Sequence, residues 1–203
     1  MSQKNKGVYS LLSNTHFYSL VQRIMSASRF REKIVKKYIT KHNVKVLDVG
    51  CGPAQILDAL PKINYYGFDI NPIYINFAKK KYENRAKFFC KKFTNKDTKC
   101  LPKFDHILLL GVLHHLSDKE INKLIPNIKK VLKRKGNIIT LDNIFTNNQN
   151  FIAKFLIQMD KGQNVRSKKG YLNILKNHFK KINSKIYHQK FIPYTWFVVN
   201  CTN

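Results

Sequence analysis

The sequence predicts a doubly wound α/β fold: a mostly parallel seven-stranded sheet with an antiparallel last strand and helices on both faces. Three observations carry this. Short β-branched or apolar runs alternate with stretches of helical periodicity, the order that builds parallel βαβ units. Phe104–Leu110 is apolar almost throughout, as in a strand buried on both faces. Two strand-like segments close the chain, Lys181–Gln189 and Thr195–Cys201, separated only by Lys190–Tyr194. So short a connection makes that finish antiparallel.

Each element follows from local pattern. Residues 8–40 read as helical, with apolar residues at Phe17, Leu20, Val21 and Ile24 and again at Ile34, Val35 and Tyr38. Val44–Val49 is the first strand, and Pro53–Leu60 a helix after it. Tyr65–Ile70 is the second strand. Asn71-Pro72 signals a helix start, continued by Ile73–Tyr82. Lys87–Cys90 and Phe104–Leu110 are the third and fourth strands. Ser117 followed by Glu120 has the form of a capping box and opens a helix to about Lys133, with a kink expected at Pro126. Lys135-Gly136-Asn137 is read as a turn before strand Ile138–Leu141, with helices near Asn150–Met159 and Lys168–Phe179 beyond. The whole is expected to be one domain: a helical N-terminal lid over 1–43, a cofactor-binding core over 44–142, and helices with two final strands over 143–203.

Composition excludes several classes. With 203 residues, 43% of them hydrophobic, the chain is long enough for a full core and is not a disordered tail. Its longest apolar run, Ile107–Leu113 with Gly111 counted, is seven residues, whereas a membrane-spanning helix needs about 20. The beginning, MSQKNKGVYSLL, lacks an apolar signal region. Cys51, Cys90, Cys100 and Cys201 have neither metal-type nor framework spacing, so reduced thiols, no metal and a cytoplasmic location are expected. The net charge of +27 has two readings: a nucleic-acid or anionic-membrane partner, or compositional drift. Drift is favoured. The basic residues are 32 lysines and only six arginines, they run along the whole chain, and Asn and Ile are each present 21 times. With only 11 acids, each acid is informative; Asp48, Asp69, Asp105, Asp142 and Asp160 fall at strand ends or in a compact loop.

The first strand runs into VLDVGCGPA, residues 46–54. Gly50 and Gly52 lie in the strand-to-helix turn, where glycine lets the backbone bend and lets a ligand approach. Asp69, nineteen residues beyond Gly50, ends the second strand, where an acid accepts both ribose hydroxyls. A dinucleotide fingerprint needs a third glycine at position 55, which is Gln55. Asp48 lies two residues before the first glycine, where it repels a pyrophosphate and favours a cationic amino group. A ligand with a ribose, no phosphate and an ammonium or sulfonium fits best, and S-adenosylmethionine is that ligand.

Several motifs together resemble the class I, seven-stranded S-adenosylmethionine-dependent methyltransferases, over about residues 44–142. VLDVGCGPA looks like the family's first motif, YYGFDI its second, FDHILLLGVLHHL its fourth and LIPNIKKVLKRKGNIITLD its fifth. The flanks, YSLLSNTHFYSLVQ, MDKGQNVRSKKGYLNIL and FIPYTWFVVNC, are similar to a bacterial subgroup of unassigned substrate. The resemblance implies that Gly50, Cys51 and Gly52 line the methionine part, Asp69 the ribose, Ile70 the adenine face, and Gly111 with Val112 the far wall. Two positions depart from the family: Ala54 replaces a common loop glycine, and Lys92 stands where an acid often meets the adenine amino group.

Methyl transfer from a sulfonium requires collinear nucleophile, carbon and sulfur in a dry site, and a base only for a protonated acceptor. His115, after the fourth strand, is favoured over His114 as that base; the alternative is a structural pair capping the turn. Asp142, ending the fifth strand, is an acceptor contact, a base or a loop cap. Arg166 and Gln163, in DKGQNVR, are expected either to bind an anionic acceptor or to tie a turn around Gly162. Tyr18 and Gln22, with Tyr9 and His16, are expected opposite them in a lid, or else as core packing. The partner expected is a small-molecule acceptor methylated at oxygen or nitrogen. The rivals are an RNA substrate, for which no base-exocyclic-amine motif is present in LGVLHHL, and a non-catalytic binding module.

Overall fold

The computed structural model describes residues 27–147, 163–188 and 195–202, with positions 149, 151, 154 and 157. Helix α1 (Ala27–Tyr38) leads into β1 (Lys45–Val49), a single 3-10 turn (Gln55–Asp58) and β2 (Asn64–Asp69). Then come α2 (Pro72–Tyr82), β3 (Ala86–Cys90), β4 (Phe104–Leu110), a short turn (Leu113–His115), α3 (Asp118–Val131) and β5 (Leu132–Phe145). The two-residue β6 (Arg166–Ser167), α4 (Lys168–Lys176), β7 (Lys181–His188) and β8 (Thr195–Thr202) finish the order.

The strands lie in the order β3-β2-β1-β4-β5-β8-β7, with β6 paired to β5 off that path. Pairing is parallel from β3 through β5, and β8 runs antiparallel to both β5 and β7. The seven-stranded expectation therefore holds, with β6 as an addition.

Alternate side chains of each strand feed two cores. Val46, Leu108, Leu110, Ile139, Leu141 and Val198 pack with Ile34, Val35 and Ile39 of α1 and Ala78 and Tyr82 of α2. Leu47, Ile107, Leu109, Ile138, Phe197 and Val199 pack with Ile121, Ile125 and Ile128 of α3 and Tyr171 and Leu175 of α4. This period-two division places helices on both faces. It also brings the carboxyl ends of β1, β2, β4 and β5 to one edge, where open α/β sheets bind ligands.

Four local expectations are corrected. Pro53–Leu60 forms only the turn Gln55–Asp58, because Ala54 before it takes a left-handed φ of 54° that no helix continues. The strand expected over Ile138–Leu141 runs fourteen residues, Leu132–Phe145, through the Lys135–Asn137 turn, since β4 and β8 offer partners on both sides. Helix α3 accordingly stops at Val131. It also runs unbroken through Pro126, which is exposed, so water can serve the Asn122 carbonyl that loses its N–H partner. The capping box is present as read: Ser117 Oγ accepts from the Glu120 N–H (3.3 Å) and the Ser117 N–H donates to Glu120 Oε2 (3.0 Å).

Candidate active site

The loop after β1 is stitched to β2. The N–H groups of Gly50 and Cys51 both donate to the Phe68 carbonyl, at 2.7 and 3.0 Å. Gly50 has φ +80°, and a Cβ there would meet Val112 Cγ2 at 2.6 Å, so this position needs glycine on both counts. A Cβ on Gly52 would meet nothing within 4 Å. The loop thus presents an open, side-chain-free face.

Asp69 closes β2 beside it. Its Oδ2 accepts from the Gly52 N–H and its Oδ1 from the Asn71 N–H, each at 2.8 Å. Both carboxylate oxygens are aimed by backbone, and each keeps a second lone pair for a diol. Ile70, next in sequence, is 60% exposed, and Ile73 is exposed too, giving an apolar surface at the mouth. Lys92 turns away toward Glu120 (3.7 Å) on α3.

Asp48 lies deeper, 2% exposed. Its Oδ2 accepts from the Tyr65 hydroxyl at 2.7 Å, while its Oδ1 is buried with no hydrogen-bond partner among the described residues. Burial pushes its carboxyl up to about 7, against the Tyr65 hydrogen bond and the Arg31 charge and with help from Asp69. The orphaned oxygen, the open face of Gly52 and the aimed Asp69 fit a ligand that brings an ammonium group and a ribose, as S-adenosylmethionine does.

Gly111 ends β4 with φ +78°, its N–H donating to the Leu141 carbonyl at 2.6 Å. A Cβ there would meet Arg31 Nη2 at 2.9 Å and His114 Cε1 at 3.6 Å. Arg31, on α1, was missed in the sequence. It lies outside the core motifs, and the available signal was its place three and four residues before the buried Ile34 and Val35.

The pairing at the methyl end differs from expectation. Asp142 is joined by His114, not by His115. Asp142 Oδ1 lies 2.9 Å from His114 Nδ1 and accepts from the His114 backbone N–H at 3.2 Å. Both side chains are buried, whereas His115 is exposed and stacks its ring 4.1 Å from that of His114. The β4–β5 register explains the choice: Leu110 pairs with Leu141, so the residue after Leu141 faces the turn after Gly111. An ionised Asp142 only accepts, so Nδ1 carries the proton and Nε2 holds the lone pair. Asp142 Oδ2 is buried and has no hydrogen-bond partner among the described residues.

Arg166 is also corrected. All five of its N–H groups are used within the protein. Nε and Nη2 donate to Asp118 Oδ1 (3.0 and 2.6 Å), Nη1 to the Leu113 and Asn164 carbonyls (3.0 and 2.8 Å), and Nη2 to the Leu116 carbonyl (2.7 Å). With the Asn164 N–H on the His114 carbonyl (2.9 Å), this segment buttresses the histidine turn from behind and leaves no fork for an acceptor. Gln163 is exposed. Tyr18 and Gln22 lie outside the described residues, as do Tyr9, His16 and Asp160. Among the described residues no three metal-ligating side chains converge, and no helix is long and apolar enough to cross a membrane.

Residues 46–136 match the family described as "Methyltransferase domain". A demethylmenaquinone methyltransferase of Thermotoga maritima is 25% identical, over 68% of this chain and 61% of its own length. A methyltransferase of Archaeoglobus fulgidus described as S-adenosylmethionine-dependent superposes with TM-score 0.70 at 14% identity, covering 92% of this chain and 99% of its own. The pyocyanin biosynthetic protein PhzM superposes with TM-score 0.71 at 12% identity, covering 98% of this chain and 62% of its own. This chain thus spans about six-tenths of the Thermotoga relative and of PhzM. It carries a methyltransferase domain with the class I, Rossmann-like fold of the S-adenosylmethionine-dependent methyltransferases.

Proposed function

We propose that this methyltransferase domain passes a methyl group to an oxygen or nitrogen of a small-molecule acceptor, with His114 and Asp142 at the methyl end. The observation that carries the reading is the buried His114–Asp142 pair, with Nδ1 2.9 Å from Oδ1, beside the glycine that ends β4.

When bound, S-adenosylmethionine supplies a methyl group already activated on a sulfonium. The chain's residues have the remaining work. Asp69 takes the ribose diol, held by the Gly52 and Asn71 N–H groups. Asp48 takes the ammonium group on its free Oδ1. Asp142 keeps the proton of His114 on Nδ1, so that Nε2 accepts a proton from an acceptor hydroxyl or ammonium as it attacks. Arg166 and Asn164 hold the turn that carries His114. The acceptor pocket lies between the carboxyl ends of β4 and β5, and the N-terminal segment and the loop before Arg166 are the material available to roof it.

The test is S-adenosylhomocysteine formation with a panel of acceptors: phenols, primary amines, demethylmenaquinone and a short RNA. Turnover on a phenol or amine, lost in His114→Ala, supports the reading. Turnover confined to RNA, or to the quinone ring, replaces the acceptor class. Cofactor binding without turnover on any of them favours a binding module.

A further inference from the structure

The site gathers an unassigned cation. Arg31 lies on the buried face of α1, and its Nη2 sits 2.9 Å from the point where a Cβ would project from Gly111. Its Nε is buried and has no hydrogen-bond partner among the described residues. A buried guanidinium N–H without an acceptor is costly, which marks the position as one that awaits an anion. Arg31 is held there independently of any ligand. Its neighbour Phe30 stacks on Trp196 (ring centroids 6.1 Å apart) and meets Tyr187 edge-on (5.2 Å), which docks the start of α1 on β7 and β8.

The second observation is the opposite charge nearby. Asp48 feels the Arg31 charge, yet the two form no ion pair, and Asp48 Oδ1 is left without a partner as well. A buried anion and a buried cation that flank the glycine turns, each with an unmet polar atom, form the complement of a zwitterion. An α-amino acid places an ammonium and a carboxylate on one carbon. We propose that Arg31 is a cofactor-binding residue that takes the α-carboxylate of the methionine portion while Asp48 takes its α-ammonium. Its planar fork suits a carboxylate, and Gly111 is required because any side chain there would displace the guanidinium.

This rests on reading the pocket as a S-adenosylmethionine site, and the experiment separates the two. Calorimetry compares S-adenosylhomocysteine with 5′-deoxy-5′-methylthioadenosine, which keeps the nucleoside and the thioether but lacks the amino acid. In Arg31→Gln the homocysteine compound should bind at least about tenfold more weakly, and the methylthio compound within twofold of wild type. Asp69→Ala should weaken both. Should Arg31→Gln fail to fold, Arg31→Lys carries the test, with the same selective loss but smaller. Equal losses for the two ligands, or none for the homocysteine compound, overturn the assignment while leaving the pocket intact. If wild type binds neither ligand, the reading of the pocket itself falls.

Discussion

The two edges of the sheet treat their acids in opposite ways. At the amino edge Asp105 is fully paired: its Oδ2 accepts from the Lys45 N–H and its Oδ1 from Lys133, both at 2.8 Å. Burial alone would raise its carboxyl pKa, but these partners and the neighbouring His106 hold it below the usual range. At the carboxyl edge Asp48 and Asp142 each keep one buried oxygen unmatched, and Asp48 is pushed upward instead. An acid that serves stability is neutralised by its own chain. One that serves a ligand is left incomplete until the ligand arrives. The arginines divide likewise: Arg166 uses every N–H to brace a turn, while Arg31 keeps a buried one unmet.

Breaking this contrast starts at the histidine turn. His114→Ala should lower kcat by about 100- to 1,000-fold on an acceptor that arrives protonated, because a positioned base contributes in that range. Affinity for S-adenosylhomocysteine should barely change, and His115→Ala should do far less. Steady-state rates beside calorimetry decide it, and equal losses in the two variants would restore His115 to the role. Asp69→Ala should weaken S-adenosylhomocysteine by about 2–3 kcal/mol, as for lost charge-assisted hydrogen bonds. Unchanged affinity would sink the ribose assignment.

Asp48 sharpens the contrast through pH. Its carboxyl is raised in the folded protein from 3.8 to about 7. The folded state therefore holds a proton that the unfolded state has released, and this group's contribution to stability falls as pH rises from about 4 to about 7. Binding an ammonium needs the ionised form, so cofactor affinity should rise roughly tenfold from pH 6 to pH 8, with a proton released on binding at pH 6. In Asp48→Asn this dependence should vanish; a titration that is flat in the wild type would remove Asp48 from the amino-acid end.

Arg166→Ala should act as a stability variant. Loss of its bonds to the turn should cost about 2–3 kcal/mol and lower Tm by roughly 5–10 °C, with cofactor affinity nearly intact. The smallest effect is expected at the amino edge. Asp105→Ala should cost about 1 kcal/mol at neutral pH and leave ligand binding unchanged. Because its pKa is depressed, that contribution is present above the unfolded carboxylate pKa and fades as pH falls through the lower folded value. Thermal melts from pH 3 to pH 7 would show the wild type and variant converging in acid.

Much of this was legible in the sequence because it is local. Hydrophobic period and turn chemistry placed the strands and their order, and VLDVGCGPA with Asp69 located the nucleoside end, since a glycine turn and an acid one strand later are short-range features. The helix expected over Pro53–Leu60 failed where Ala54 adopts a left-handed conformation that its identity does not advertise. Lys135–Asn137 carries a turn signal that two neighbouring strands override.

The sequence by itself determined the doubly wound fold and the edge at which a ligand binds, because periodicity and chain order are enough for both. Only the tertiary structure decided which side chains meet there. His114 rather than His115 reaches Asp142 because the β4–β5 register sets the turn, and Arg166 is spent on carbonyls of a turn about fifty residues away in the chain. Arg31 comes to Gly111 because α1 docks through Phe30 on the closing strands. Each of these pairings joins residues far apart in the chain, and a one-dimensional pattern carries no distance between them.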